Sequence, residues 1–135
     1  MHRRPVADDL SDVGEATAWV GRQMAEADVA EDLRFNIEVC VEEALANLIE
    51  HGRPAQGDKD IAIAVAADPQ GATILVTDRC IPFDAVEAPS PEPPSAGDMH
   101  AGGQGLRLMR AFANELTYRT SAGRNELTMR FRSLT

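Results

Sequence analysis

The chain has 135 residues, with 13 Lys+Arg against 22 Asp+Glu, and so carries a net charge of −9 at pH 7. With 44% hydrophobic and 26% charged residues it has the composition of one folded domain, and neither disorder nor a second domain is indicated. That acidity argues against direct binding to nucleic acid or anionic membrane, both of which select a positive surface.

Residues 1–10 read as a polar, loose start. The opening MHRRPVADDL has no apolar stretch behind its basic residues, so it is not a secretory signal. From Ser11, a candidate cap, the spacing of Val13, Ala16, Val20 and Met24 predicts a helix. A second helix runs from near Val29 to Gly52, a C-terminal stop, with Leu33, Ile37, Val41, Leu45 and Leu48 as its apolar stripe. After the turn-forming RPAQGDKD, the runs IAIAVAA (61–67) and ATILVT (72–77) predict a β-hairpin across Asp68-Pro69-Gln70-Gly71.

Residues 80–101 hold five of the eight prolines and predict a lid or insertion. Then come AGGQG (101–105), a helix over LRLMRAFANEL (106–116), and two strands, LTYRTS and NELTMRF, joined at Ala122–Arg124. The order α-α-β-β-loop-α-β-β predicts an α+β two-layer sandwich, a mostly antiparallel sheet with helices on one face. No run approaches the ~18 apolar residues of a membrane helix. Cys40 and Cys80 fit neither a disulfide framework nor a CxxC site, so a cytoplasmic chain with reduced thiols is expected.

Three segments can carry chemistry. Glu43, Asn47 and His51 recur every four residues on one face of the second helix, where a carboxylate beside a carboxamide can share a water or hydrated Mg²⁺. An ordinary polar stripe has the same spacing, and Glu42 and Glu50 show how common acid is on this helix. Asp78 ends a strand, where an acid can accept from a ligand amine, with Phe83 nearby to pack on a flat ring. An Asp in that place is also a routine turn former. Gly102-Gly103-Gln104-Gly105 precedes a helix, so backbone N–H groups there can face an anion. The segment is neither a Walker loop nor a dinucleotide fingerprint, and a simple hinge has the same composition.

In this order, VEEALANLIEHG (41–52), DRCIPFD (78–84), GGQGLRLMRAFANELTYR (102–119) and GRNELTMRF (123–131) resemble the Bergerat-type ATP-binding domain. They are most similar to its stand-alone branch, the anti-sigma factor serine/threonine kinases, from about Ser11 to the C-terminus, so that 11–135 is expected to form the domain. The resemblance implies Glu43 as general base, Asn47 as the Mg²⁺ ligand and Asp78 as acceptor of the adenine amino group. Gly102, Gly103, Gly105 and Leu106 fall in the phosphate loop; His51, Cys80 and Phe83 fall in or beside the ATP boxes. Asn125 stands where a threonine near adenine is usual, and shares a face with Leu127 and Met129 that is expected to look toward the helices. Cys80 replaces a customary glycine, and the customary first strand is missing or compressed into HRRPV.

The implied cofactors are ATP and Mg²⁺. The implied partners are an anti-anti-sigma (STAS-domain) protein, a sigma factor and a second copy in a homodimer. Two alternatives are a nucleotide-binding adaptor that sequesters a partner without phosphorylating it, and the catalytic half of a sensor histidine kinase.

Overall fold

The computed structural model describes residues 1–82 and 103–133, and for residues 103–106 only the backbone. Its element order is β1 (His2–Val6), α1 (Leu10–Glu26), α2 (Glu31–His51), β2 (Ile61–Asp68), β3 (Gly71–Asp78), α3 (Gly103–Phe112), β4 (Glu115–Ser121) and β5 (Arg124–Arg132). The strands form a five-stranded antiparallel sheet in the order β1-β2-β3-β5-β4 with the helices on one side. The expected α+β sandwich is the fold.

The start of the chain departs from expectation. Residues 2–6 are not loose but form an edge strand, pairing from His2↔Val65 to Val6↔Ile61. The strand is weakly signalled because it is short, mostly exposed and contains Pro5, which is tolerated at an edge. The customary first strand is thus present within HRRPV. Asp12 fixes it to α1: its carboxylate accepts from Arg4 Nη1 at 3.1 Å and Nη2 at 2.9 Å, and from Ala7 N at 2.8 Å. Asp9, rather than Ser11, caps α1, and its Oδ1 accepts from Ser11 N at 2.9 Å. The cap therefore lies two residues earlier than expected.

Helix α2 begins at Glu31, where Glu31 and Asp32 complement the helix dipole, and stops at Gly52 as expected. Helix α3 is shorter than 106–116. Asn114 N donates to Arg130 O at 2.8 Å, and Arg132 N donates to Asn114 Oδ1 at 2.6 Å. These bonds turn the chain into the sheet, and Glu115 and Leu116 pair with Arg130 and Met129 as the first residues of β4. At the other end α3 begins at Gly103, so Gly103 and Gly105 lie in its first turn rather than ahead of it. The β4–β5 loop is a two-residue turn with Ala122 at φ 54° and Gly123 at φ 77°, the type I′ geometry that matches strand twist.

The core lies between the layers. Ile61, Ile63 and Val65 of β2, Ile74 and Val76 of β3, and Met129 and Phe131 of β5 meet Val13, Ala16, Val20 and Met24 of α1. Helix α2 adds Ile37, Cys40, Val41, Ala44 and Leu45, and α3 adds Met109. No helix among the described residues is long and apolar enough to cross a membrane.

Asp12→Asn is expected to lower stability by about 1 kcal/mol at pH 7. The Arg4 hydrogen bond, then that from Ala7, holds the Asp12 carboxyl below its ordinary value of 3.8. That contribution is present above 3.8 and is lost as the pH falls through the lowered folded value. Urea melts of the two proteins should therefore differ at pH 7 and converge in acid. Burial, and secondarily the charge of Glu43, pushes the Cys40 thiol up to about 12. Iodoacetamide at pH 8 should spare Cys40 in the folded chain and alkylate it in guanidinium.

Candidate active site

On α2, Glu43 and Asn47 are half-buried, whereas Glu42 and Glu50 are exposed. Burial therefore separates the two predicted residues from the surrounding acid. His51 is exposed at the end of the helix, with Nε2 3.6 Å from the Glu50 carboxylate.

The chain after α2 is joined to the chain after β3. Ile81 N donates to Arg53 O at 2.8 Å, Ala55 N to Arg79 O at 3.1 Å, and Arg79 N to Lys59 O at 2.7 Å. This irregular pairing sets the C-terminal turns of α2 beside the last residue of β3, although the two are separate in sequence. Lys59 reinforces it from within. Its Nζ donates to Leu48 O at 3.0 Å, Ile49 O at 2.9 Å and Asp8 Oδ1 at 2.9 Å. Gly52 permits the close approach: a Cβ there would meet the Leu48 carbonyl and lie 2.9 Å from Cys80 Sγ.

Asp78 ends β3 and is only 5% exposed. A buried carboxylate needs donors, and two of them converge on one of its oxygens. Oδ1 accepts from Cys80 N at 2.8 Å and from Asn125 Nδ2 at 2.8 Å. Asn125, on β5 and directly opposite Asp78 in register, is 2% exposed. Its Nδ2 also donates to Cys80 O at 2.9 Å, and its Oδ1 accepts from Thr120 Oγ1 at 3.0 Å. Asn125 is thus buried, with its amide engaged by neighbouring strands and by the residue after β3. The Cys80 thiol lies against Gly52 and is pushed up to about 11, first by burial and then by the Asp78 charge.

Helix α3 packs on α2, where the Cys40 thiol donates to Leu108 O at 3.7 Å. Its first turn carries Gly103 and Gly105 and leaves backbone N–H groups without helical partners. Phe83, Gly102 and most of the expected 80–101 insertion lie outside the described residues, as does the side chain of Leu106.

The structure thus joins Asp78, Cys80 and Asn125 in one hydrogen-bonded group and ties it to the helix end that carries Asn47. Sequence reasoning missed Thr120 and Lys59. The two-residue turn at 122–123 fixes the register Ser121↔Arg124 and Thr120↔Asn125, so Thr120 was within reach. Lys59 is the only lysine in the chain, and its burial had no periodic signal.

Among the described residues no group of three or more His, Cys, Asp or Glu is placed to hold a metal ion. The oxygen donors present suit a cation that keeps its own water and is bound partly through phosphate. Mg²⁺ has that chemistry, and the half-buried Asn47 carboxamide fits it as a single protein ligand.

The family model for the histidine kinase-like ATPase domain matches residues 6–131. The serine/threonine-protein kinase BtrW of Bordetella bronchiseptica is 33% identical over 98 residues, covering 72% of this chain and 69% of that protein. Among solved structures, the RsbU and RsbW domains of a Mycobacterium tuberculosis protein superpose with a TM-score of 0.68 at 18% identity. That match covers 97% of this chain but spans only 32% of the other. The histidine kinase domain of the Erythrobacter litoralis EL346 blue-light activated histidine kinase gives a TM-score of 0.54 at 12% identity, over 91% of this chain and 60% of that one. These two share the fold. The family model and the curated relative show that the chain belongs to the histidine kinase-like ATPase domain family and, within it, to the serine/threonine-protein kinases.

Proposed function

We propose that this chain transfers the γ-phosphoryl group of ATP to a serine or threonine hydroxyl of a STAS-domain anti-anti-sigma protein. In the same reading it acts in the cytoplasm as a homodimeric anti-sigma factor, holding a sigma factor until the unphosphorylated partner displaces it. The observation that carries the proposal is the hydrogen-bonded Asp78–Asn125 pair, joined through the pairing of 53–59 with 79–81 to α2, the helix that bears Glu43 and Asn47.

Each residue has a defined task. Asp78 accepts the 6-amino group of adenine, a role suited to a buried carboxylate whose Oδ1 is already held. The first turn of α3, with Gly103 and Gly105, offers backbone N–H groups to the phosphates. Asn47 supplies an amide oxygen to Mg²⁺, which when bound neutralises charge on the β- and γ-phosphates. Glu43, one turn before Asn47, takes the proton from the attacking hydroxyl at a carboxylate oxygen. The hydroxyl oxygen forms a bond to the γ-phosphorus as the β–γ bridging P–O bond breaks, and ADP leaves. Positioning supplies most of the rate.

The net charge of −9 opposes the approach of a nucleotide anion. Affinity therefore depends on these local donors.

Incubation with γ-labelled ATP, Mg²⁺ and the purified STAS-domain partner tests the assignment. Glu43→Gln should reduce label transfer by at least ~100-fold while leaving ATP affinity within about threefold. Asn47→Ala should weaken Mg²⁺-dependent ATP binding by about tenfold or more, measured by calorimetry. Undiminished transfer by Glu43→Gln would remove the assigned base. Tight ATP binding by the unmodified chain with no transfer would favour the sequestering adaptor instead.

A further inference from the structure

The amide of Asn125 is fully engaged within the protein on its donor side. Each of the two N–H bonds of Nδ2 has an acceptor, Asp78 Oδ1 at 2.8 Å and Cys80 O at 2.9 Å. No donor is left over for a base. On its other side Oδ1 accepts from Thr120 Oγ1 at 3.0 Å. The three residues lie in register across neighbouring strands, Asp78↔Asn125 between β3 and β5 and Thr120↔Asn125 between β4 and β5. The planar amide is thereby located from both ends: the carboxylate and the carbonyl fix its nitrogen, and the hydroxyl fixes its oxygen.

We infer that Thr120 and Asn125 are positioning residues for purine selection, acting through Asp78 as a Thr120–Asn125–Asp78 relay. This rests on the nucleotide reading above and reassigns Asn125 within it, from a base contact to a support. Asp78 alone then touches the base, as an acceptor for an exocyclic amine, while Asn125 holds its Oδ1 and so aims the rest of the carboxylate.

The physical reasoning concerns Asn125 Oδ1. Asn125 is 2% exposed, so its oxygen has little access to water if Thr120 ceases to donate. A buried acceptor without a donor is unfavourable, and the amide shifts toward solvent to find one. That movement slackens its grip on Asp78. Thr120 itself is on the exposed edge strand β4, so its substitution leaves the core intact. Thr120→Val keeps the shape and the β-branching and removes only the donor.

The test compares ATP with purine riboside triphosphate, which lacks the 6-amino group, by calorimetry with Mg²⁺ and the full chain. The unmodified chain should prefer ATP by about tenfold or more. Thr120→Val should cut that preference to about threefold or less by weakening ATP binding, with the affinity for purine riboside triphosphate unchanged. Thr120→Ser, which restores the donor, should restore the preference. A variant that merely loosens the sheet weakens both nucleotides together. Equal weakening, or an unchanged preference in Thr120→Val, would overturn the relay. An unmodified chain that binds neither nucleotide defeats the nucleotide reading itself, whereas one that binds both equally leaves nucleotide binding standing and defeats the amine contact of Asp78 and the relay with it; either outcome is visible before any variant is made.

Discussion

The architecture of the site depends on one ammonium group at the end of a helix. The last carbonyls of α2 have no partners within the helix and carry its partial negative charge. Lys59 Nζ answers two of them and also reaches Asp8, just ahead of α1. One buried cation therefore holds the end of α2, the approach to α1 and the segment leading into β2. The main-chain pairing of 53–59 with 79–81 has a fixed partner because of it. The joint ties the chain that follows α2, the helix of Glu43 and Asn47, to the chain that follows Asp78.

Much of this was legible in the sequence, because most elements obey simple periodicities. The apolar stripe of α2 and the β-branched runs of β2 and β3 gave those elements to within a few residues. The failures have identifiable causes. β1 is an edge strand whose pattern is broken by Pro5 and whose main buried residue is Val6, so nothing alternates in it. The end of α3 was misplaced because Asn114 and Glu115 are pulled into the sheet by Arg130 and Arg132, a tertiary competition that no local propensity reports.

The site divides in the same way. Glu43, Asn47 and Asp78 stand out by residue type and position, whereas the pairing of the loops after α2 and β3, which joins their two elements, has no signal in the sequence. Thr120 carried no chemical signal at all; its importance comes from register, set by a two-residue turn. Cys80, which looked like an intrusion beside the nucleotide, is accommodated because Gly52 has no side chain. The two residues form a complementary pair, a thiol where a glycine is customary and a glycine where the thiol needs space.

The solitary lysine has one more effect. Within this chain every other cationic side chain apart from histidine is arginine, and Lys59, the one primary amine among the side chains, is 8% exposed with its hydrogens directed at three oxygens. The folded surface thus offers acylating agents almost no side-chain amine. Acetylation at Lys59 requires the end of α2 to open first, so the appearance of that adduct over time measures how often the joint beneath the site comes apart.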